Sequence, residues 1–235
     1  MTSNLLKRAI ASIVCLAAFS SLASAQTPGG RQNNSSNNPA ATPPKKNERP
    51  AVEATVREPF DGATVEKMAA QCVRLETEAG EIEMEMLPET APETVRNFLN
   101  LVAMGAYDAT TFHRIVKGFI IQGGNFSTRQ PLTLEYAKRM ARPIPDEPNL
   151  VKHVRGIVSM ARSDKPNTAT SSFFILVGDG PHLDGTFAAF GRVTRGLEVA
   201  DAINAAPAEE EKPSRPVQVK RATVVPCPPH ATPQQ

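Results

Sequence analysis

Tryptophan is absent from the 235 residues, tyrosine occurs twice, and aromatic side chains make up only 5%. With hydrophobic residues at 40%, any core must be aliphatic, with phenylalanine as its main ring. Neither sign of charge is in excess. A net charge of +2 gives no reason to propose nucleic acid as a partner, and Lys45-Lys46 is a solvated pair, not a basic patch. Histidine is scarce and scattered: His153, His182 and His230 lack ligand spacing, so neither a metal nor any other cofactor is expected. There is no internal repeat. Long apolar runs are missing too. The longest, from about Ala9 to Phe19, is short of the ~20 residues a membrane span needs.

That run reads instead as the centre of a secretory signal. Lys7 and Arg8 precede it, and Ala23-Ser24-Ala25 has the small-x-small form of a cleavage site, so residues 1–25 are expected to be removed. The alternative is an uncleaved anchor. No second segment could form a stable span. Export, to the periplasm if the source is Gram-negative and otherwise to the outside, is therefore the expected destination. Residues 26–60 are rich in Asn, Ser, Pro and Gly, and they bury too little to offset their ordering entropy. They are expected to form a disordered tether. Residues 61–235 then make one domain by length.

Within that domain the patterning is mostly strand. Glu81 to Met86 alternates strictly, which places Ile82, Met84 and Met86 inward and three glutamates outward. Val73 and Leu75 mark a preceding strand, with Ala79-Gly80 as the turn. Pro92 suits a first helical turn, Val95, Phe98, Leu99 and Val102 share one face, and Gly105 can end that helix. Further strands are expected over 110–116, 120–123, 156–161, 172–177, 187–193 and 217–225, with a short helix over 198–205. About eight strands and two small helices imply a closed antiparallel barrel plugged at its ends.

The most informative stretch is Phe112-His113-Arg114-Ile115-Val116-Lys117-Gly118-Phe119-Ile120-Ile121-Gln122-Gly123-Gly124-Asn125-Phe126. It sets an arginine and a glutamine on either side of a tight turn among apolar residues. It holds no paired carboxylates, no Ser-His-Asp set and no phosphate loop. One fixed cation, one amide and an apolar floor suit a reaction with no proton transfer and no leaving group. The turn matters. A two-residue loop at Lys117-Gly118 puts Arg114 and Gln122 on opposite faces. A three-residue loop, 117–119, pairs them on one face and requires Gly118 at positive φ. The three-residue loop is expected.

Six dispersed segments together resemble the cyclophilin family. They are Phe112-His113-Arg114, 119–124, Gly156 to Ala161, Ser172-Phe173-Phe174-Ile175, Leu183-Asp184-Gly185 and Phe190-Gly191-Arg192-Val193. The resemblance spans about Cys72 to Val225. It implies a closed eight-stranded antiparallel β-barrel capped by two α-helices, and an enzyme that isomerises the peptide bond preceding proline. The expected partners are proline-containing polypeptides, in this case exported proteins that need help folding. The expected oligomeric state is a monomer. The alternative is a non-catalytic module or chaperone of the same fold that holds proline segments.

The resemblance assigns Arg114 as the catalytic cation, Gln122 as its orienting partner and Phe119 as a catalytic neighbour. Ile120, Phe174 and Leu183, with Phe126 in support, map onto the proline socket. Ala161 and Arg162 map onto the backbone along which substrate lies, and His182 and Phe187 onto the rim. There are four departures. Ser172 and Arg162 stand where many relatives have glutamine and asparagine. His182 stands where vertebrate members have tryptophan, and Phe187 where many have histidine. They put substrate preference in doubt and predict weak binding of cyclosporin. His113 could be a general base, but no proton has to move, so a packed, hydrogen-bonded histidine is expected. Asp146-Glu147 and 209–211 read as solvated loop charges. Finally, the family's first and last strands lie side by side. In an oxidising compartment that implies a Cys72–Cys227 disulfide, against two unrelated thiols.

Overall fold

The alternation of Glu81 to Met86 does build a strand, and the sheet grows around it. The computed structural model describes residues 57–228. The expected signal segment and the tether before Arg57 lie outside the described residues, as does His230. The folded unit starts earlier than the sequence implied. Phe60 is buried in the core, its N–H donating to Asn100 Oδ1 at 2.6 Å, and Glu58 pairs with Arg139 at 2.9 Å. The boundary at Asp61 is therefore corrected by at least three residues, because apolar and ionic contacts tie this segment down.

In chain order the elements are α1 (Val65–Ala69), β1 (Gln71–Thr77), β2 (Gly80–Met86), α2 (Pro92–Ala103), β3 (Arg114–Val116), β4 (Ile120–Gly123), α3 (Leu134–Met140), β5 (Ile157–Met160), β6 (Phe173–Leu176), β7 (Ala189–Arg195), α4 (Leu197–Ala205), β8 (Ala208–Glu209), β9 (Lys212–Pro213) and β10 (Val219–Pro226). Eight strands form one antiparallel sheet in the order β10-β1-β2-β7-β5-β6-β4-β3, and β8 and β9 form a separate small hairpin. The edge strands of this sheet, β10 and β3, do not pair as strands. Instead the chain leading into β3 is laced to the start of β10. Ala109 N–H donates to Val219 O at 2.8 Å, and Phe112 N–H donates to Val217 O at 2.9 Å.

Among the described residues the two expected helices, α2 and α4, are accompanied by two short ones, α1 and α3. α1 is one capped turn, with Thr64 Oγ1 accepting from Lys67 N–H at 3.3 Å, and α3 begins on Leu134, which is largely exposed. Neither presents an apolar stripe long enough to read from sequence. α2 has the face expected of it, with Val95, Phe98, Leu99 and Val102 all buried. Phe98 is the hub of the core, with ring centroids 5.1 Å from Tyr107, 5.3 Å from Phe173 and 4.9 Å from Phe190.

Of the three glutamates of β2 only Glu81 is exposed to solvent as predicted. Glu83 and Glu85 are buried, covered by Arg74 at 3.3 Å and by Arg192 respectively. Arginine stems shield them while the charges pair. At the seam of β1 and β10, Cys72 and Cys227 are joined as a disulfide with Cα atoms 4.8 Å apart. The antiparallel register Gln71↔Pro226 brings these two chain ends together.

Candidate functional site

The hairpin β3–β4 pairs Arg114 with Gln122 and Val116 with Ile120, so the loop is the three residues 117–119, and Gly118 has φ 66°. Both side chains thus rise from one face. Arg114 Nη1 donates to Gln122 Oε1 at 3.1 Å. The loop is gripped from two sides. Asn204, at the end of α4, accepts from Gly118 N–H at 2.8 Å through Oδ1 and donates through Nδ2 to Val116 O at 2.8 Å and Ile120 O at 2.9 Å. On the other side Val177 N–H donates to Phe119 O at 2.8 Å. The chain approaches so closely there that a Cβ on Gly178 would lie 2.2 Å from the Gly118 carbonyl oxygen.

Beside this hairpin lies an apolar cluster separate from the main core. It contains Ile120, Phe174 and Leu183, with Phe119, Ala161 and Phe187 packed against it. Strand pairing explains the assembly: Phe174 on β6 faces Gln122 on β4. Phe187 meets Phe174 edge-on at 5.9 Å, and the exposed His182 lies over Phe119 at 5.3 Å. Arg162 sits over Phe187 at 5.1 Å, and its guanidinium donates to Ser163 O at 3.0 Å and Thr186 O at 3.3 Å. Among the described residues its backbone N–H and carbonyl take no backbone partner. Phe126 is the exception. It is fully buried in the main core, edge-on to Tyr107 at 5.6 Å, because the chain turns after β4 into a helical turn at Phe126–Thr128 capped by Asn125. It is not a socket residue.

His113 is packed as expected: burial pushes its pKa down, opposed by a hydrogen bond to the Thr111 backbone, while its Nδ1 has no partner among the described residues. Two further expectations are corrected here. Glu147 is not a free loop charge. Its two oxygens accept from Glu93 N–H at 3.0 Å and Thr94 N–H at 2.7 Å, capping α2, whose own N-cap residue Ala91 has no side chain to do so. Glu211 is not free either: its Oε2 accepts from Arg114 Nε at 2.8 Å. Neither acid carries a local signal, since each reaches its partner only through the fold. Asn204 was missed too, although a polar residue directly after the buried Ile203 of an amphipathic helix was a readable hint. Asp184, His153 and Ser159 are in hydrogen-bonded contact, with His153 Nδ1 3.2 Å from Asp184 Oδ1 and Nε2 3.1 Å from Ser159 Oγ. The serine is fully buried, and its hydroxyl also lies within hydrogen-bond distance of Ala188 O, at 2.9 Å, so the set is a structural pin under β5.

Residues 72–224 match the model of the family described as cyclophilin type peptidyl-prolyl cis-trans isomerase. The chain belongs to the cyclophilin family. Peptidyl-prolyl cis-trans isomerase A of Dickeya dadantii is 37% identical over 164 residues, covering 65% of this chain and 84% of that protein. Peptidyl-prolyl cis-trans isomerase-like 3 of Gallus gallus is 38% identical over 165 residues, covering 68% and 97%. Among solved structures, a cyclophilin type isomerase of Cryptosporidium parvum superposes with a TM-score of 0.59 at 33% identity, covering 67% of this chain and 99% of that one. The same protein is known in the presence of the dipeptide Ala-Pro, with a TM-score of 0.58. As a cyclophilin, this chain is an enzyme whose reaction is rotation about the peptide bond before proline.

Proposed function

We propose that this cyclophilin isomerises X-Pro bonds in exported polypeptides, with Arg114 as the catalytic group. The C–N bond has partial double-bond character, and its rotation barrier is ~18–20 kcal/mol. Rotation takes the nitrogen lone pair out of conjugation. A donor aimed at that nitrogen stabilises the twisted form more than the planar one, which is differential transition-state binding. A ten-thousandfold acceleration needs about 5–6 kcal/mol of such preference. The observation that carries the reading is Arg114. Two of its nitrogens are tied down, by Glu211 and Gln122, while Nη2 has no partner among the described residues. Phe119, Ile120, Phe174 and Leu183 seat the pyrrolidine ring, and His182 and Phe187 form the rim. The free backbone groups of Arg162, next to Ala161, pair with substrate main chain, which explains tolerance of varied sequences.

Export is supported by the signal-like residues 1–25 and by a disulfide of the kind that persists in oxidising compartments. The tether of residues 26–56, a monomeric state and full closure of the sheet into a barrel belong to the same proposal. The hydrogen bonds from residues 109–112 to 217–219 support the last of these. A protease-free isomerisation assay on an Ala-Pro peptide tests the function, using the chain that begins at Gln26. Acceleration abolished by Arg114→Ala supports it. No acceleration over the uncatalysed rate leaves only a proline-binding module.

A further inference from the structure

The hairpin β8–β9 turns through Glu210 and Glu211, which have φ 45° and 70°. Two adjacent left-handed residues make a tight turn that asparagine and glycine form without strain, yet here both positions are glutamate. Such strain persists only where the surroundings over-determine it. The surroundings here are β3. Glu211 O accepts from Ile115 N–H at 2.8 Å, and Glu211 Oε2 accepts from Arg114 Nε at 2.8 Å. The turn is thus pinned by main chain and side chain to the strand that carries the arginine.

From this geometry we infer that Glu211 is a positioning residue for the isomerisation, orienting the guanidinium of Arg114 for its substrate. The inference rests on the reading of Arg114 as the catalytic group. A guanidinium is planar, and one hydrogen bond leaves it free to swing about that bond. Two bonds on different nitrogens, Nε to Glu211 and Nη1 to Gln122, fix both its plane and its rotation. The nitrogen left without a partner, Nη2, then donates its two hydrogens along fixed directions in that plane. Gln122 alone, three residues past the hairpin turn and itself half-buried, holds a single nitrogen and cannot set that plane. Glu211 comes from a separate hairpin across the sheet edge, so the arginine is held from two sides. An acid here also lowers the local positive potential, so the device trades some attraction for orientation.

Orientation and charge give opposite predictions, and one series separates them. Isomerisation of an Ala-Pro peptide is measured by exchange spectroscopy, resolving kcat from KM, for the wild type, Glu211→Ala, Glu211→Gly, Glu211→Gln and Arg114→Ala. Glu211→Ala is expected to lose about tenfold in kcat with little change in KM, a typical penalty for a misplaced catalytic group. Glu211→Gly relaxes the strained turn, so its unfolding midpoint should equal or exceed that of the wild type while kcat falls as far as in Glu211→Ala. That outcome removes misfolding as the cause. Glu211→Gln keeps an acceptor oxygen but loses the charge, so it should recover most of the loss and remain about two- to threefold slow. In the Arg114→Ala background, Glu211→Ala should add nothing. Unchanged or faster turnover in both Glu211→Ala and Glu211→Gly overturns the inference, since the carboxylate would then be idle or a brake. Wild-type rates in Arg114→Ala would instead overturn the assignment of the arginine itself.

Discussion

Replacing Asn204 by alanine should weaken both the fold and the site, by amounts the structure allows one to work out. The side chain is buried and makes three hydrogen bonds to the loop that carries Phe119: from Gly118 N–H at 2.8 Å, to Val116 O at 2.8 Å and to Ile120 O at 2.9 Å. Each such bond is worth ~0.5–1.5 kcal/mol net. Gly118 is exposed, so water can replace its bond, whereas Ile120 is buried and water reaches its carbonyl poorly. Val116 O keeps Phe119 N–H at 3.0 Å. Asn204→Ala should therefore cost about 2–3 kcal/mol once the void left behind is included. For a domain of this size that lowers the thermal midpoint by about 5–10 °C. Urea unfolding followed by circular dichroism measures the first quantity. The same variant, assayed well below its transition, should isomerise an Ala-Pro peptide about three- to tenfold more slowly, because Phe119 and the Arg114–Gln122 register lose their clamp. A stability within about 0.5 kcal/mol of wild type, the range of an ordinary surface substitution, would refute the reasoning.

Other perturbations probe the frame around the site. Glu147→Ala strips the tertiary cap from α2 and should destabilise the protein by about 1–2 kcal/mol, with Glu147→Gln losing less; an unchanged urea midpoint contradicts this. Reducing the Cys72–Cys227 bond opens a loop with a sequence separation of 155. By chain entropy that should lower stability by about 5 kcal/mol at most, and a denaturation curve insensitive to reductant argues against it. Acid should act through His153. Burial drives its pKa down and His182 adds to this, while the Asp184 carboxylate opposes it, and the net is downward. The folded state therefore favours the neutral ring. Its contribution is complete above the unfolded-state pKa of about 6.5 and fades as pH falls below that value. His113, lowered by burial and by neighbouring Arg114, adds a slope of the same sign. Asp184 is held at about 2, chiefly by the His153 backbone N–H, so its own loss falls at lower pH, between its unfolded value and about 2. Unfolding free energy should drop from pH 7 to pH 5, less steeply in His153→Asn, and a rise over that range contradicts the assignment.

What could be read from the chain beforehand was local or periodic. The alternation of Ile82, Met84 and Met86 located β2, and Pro92 with the Val95–Phe98–Leu99–Val102 face located α2. The demand that Arg114 and Gln122 share a face selected the three-residue loop. What could not be read was whatever the topology brings from afar. Glu211 lies 97 positions beyond Arg114 and Asn204 lies 86 beyond Gly118, and no window of sequence links them. Phe126 failed for the complementary reason. Its place three residues after β4 looks equivalent to the socket residues, but the capped turn at Asn125 rotates it into the core. The arginines that cover Glu83 and Glu85 come from neighbouring strands, so alternation alone misjudged how wet that face is.

The central claim is that a single guanidinium lowers the barrier to rotation. Exchange NMR on an Ala-Pro peptide, with catalytic amounts of wild type, Arg114→Lys and Arg114→Ala, tests it most directly, because cis and trans resonances report the rate with no coupled protease. The account predicts that Arg114→Ala keeps its fold and its peptide affinity within a few-fold but loses about 10²–10³ in kcat, the range found when one preorganised donor is removed. Arg114→Lys, a point charge without the planar fork, should recover little of that. Full turnover in Arg114→Ala would contradict the account.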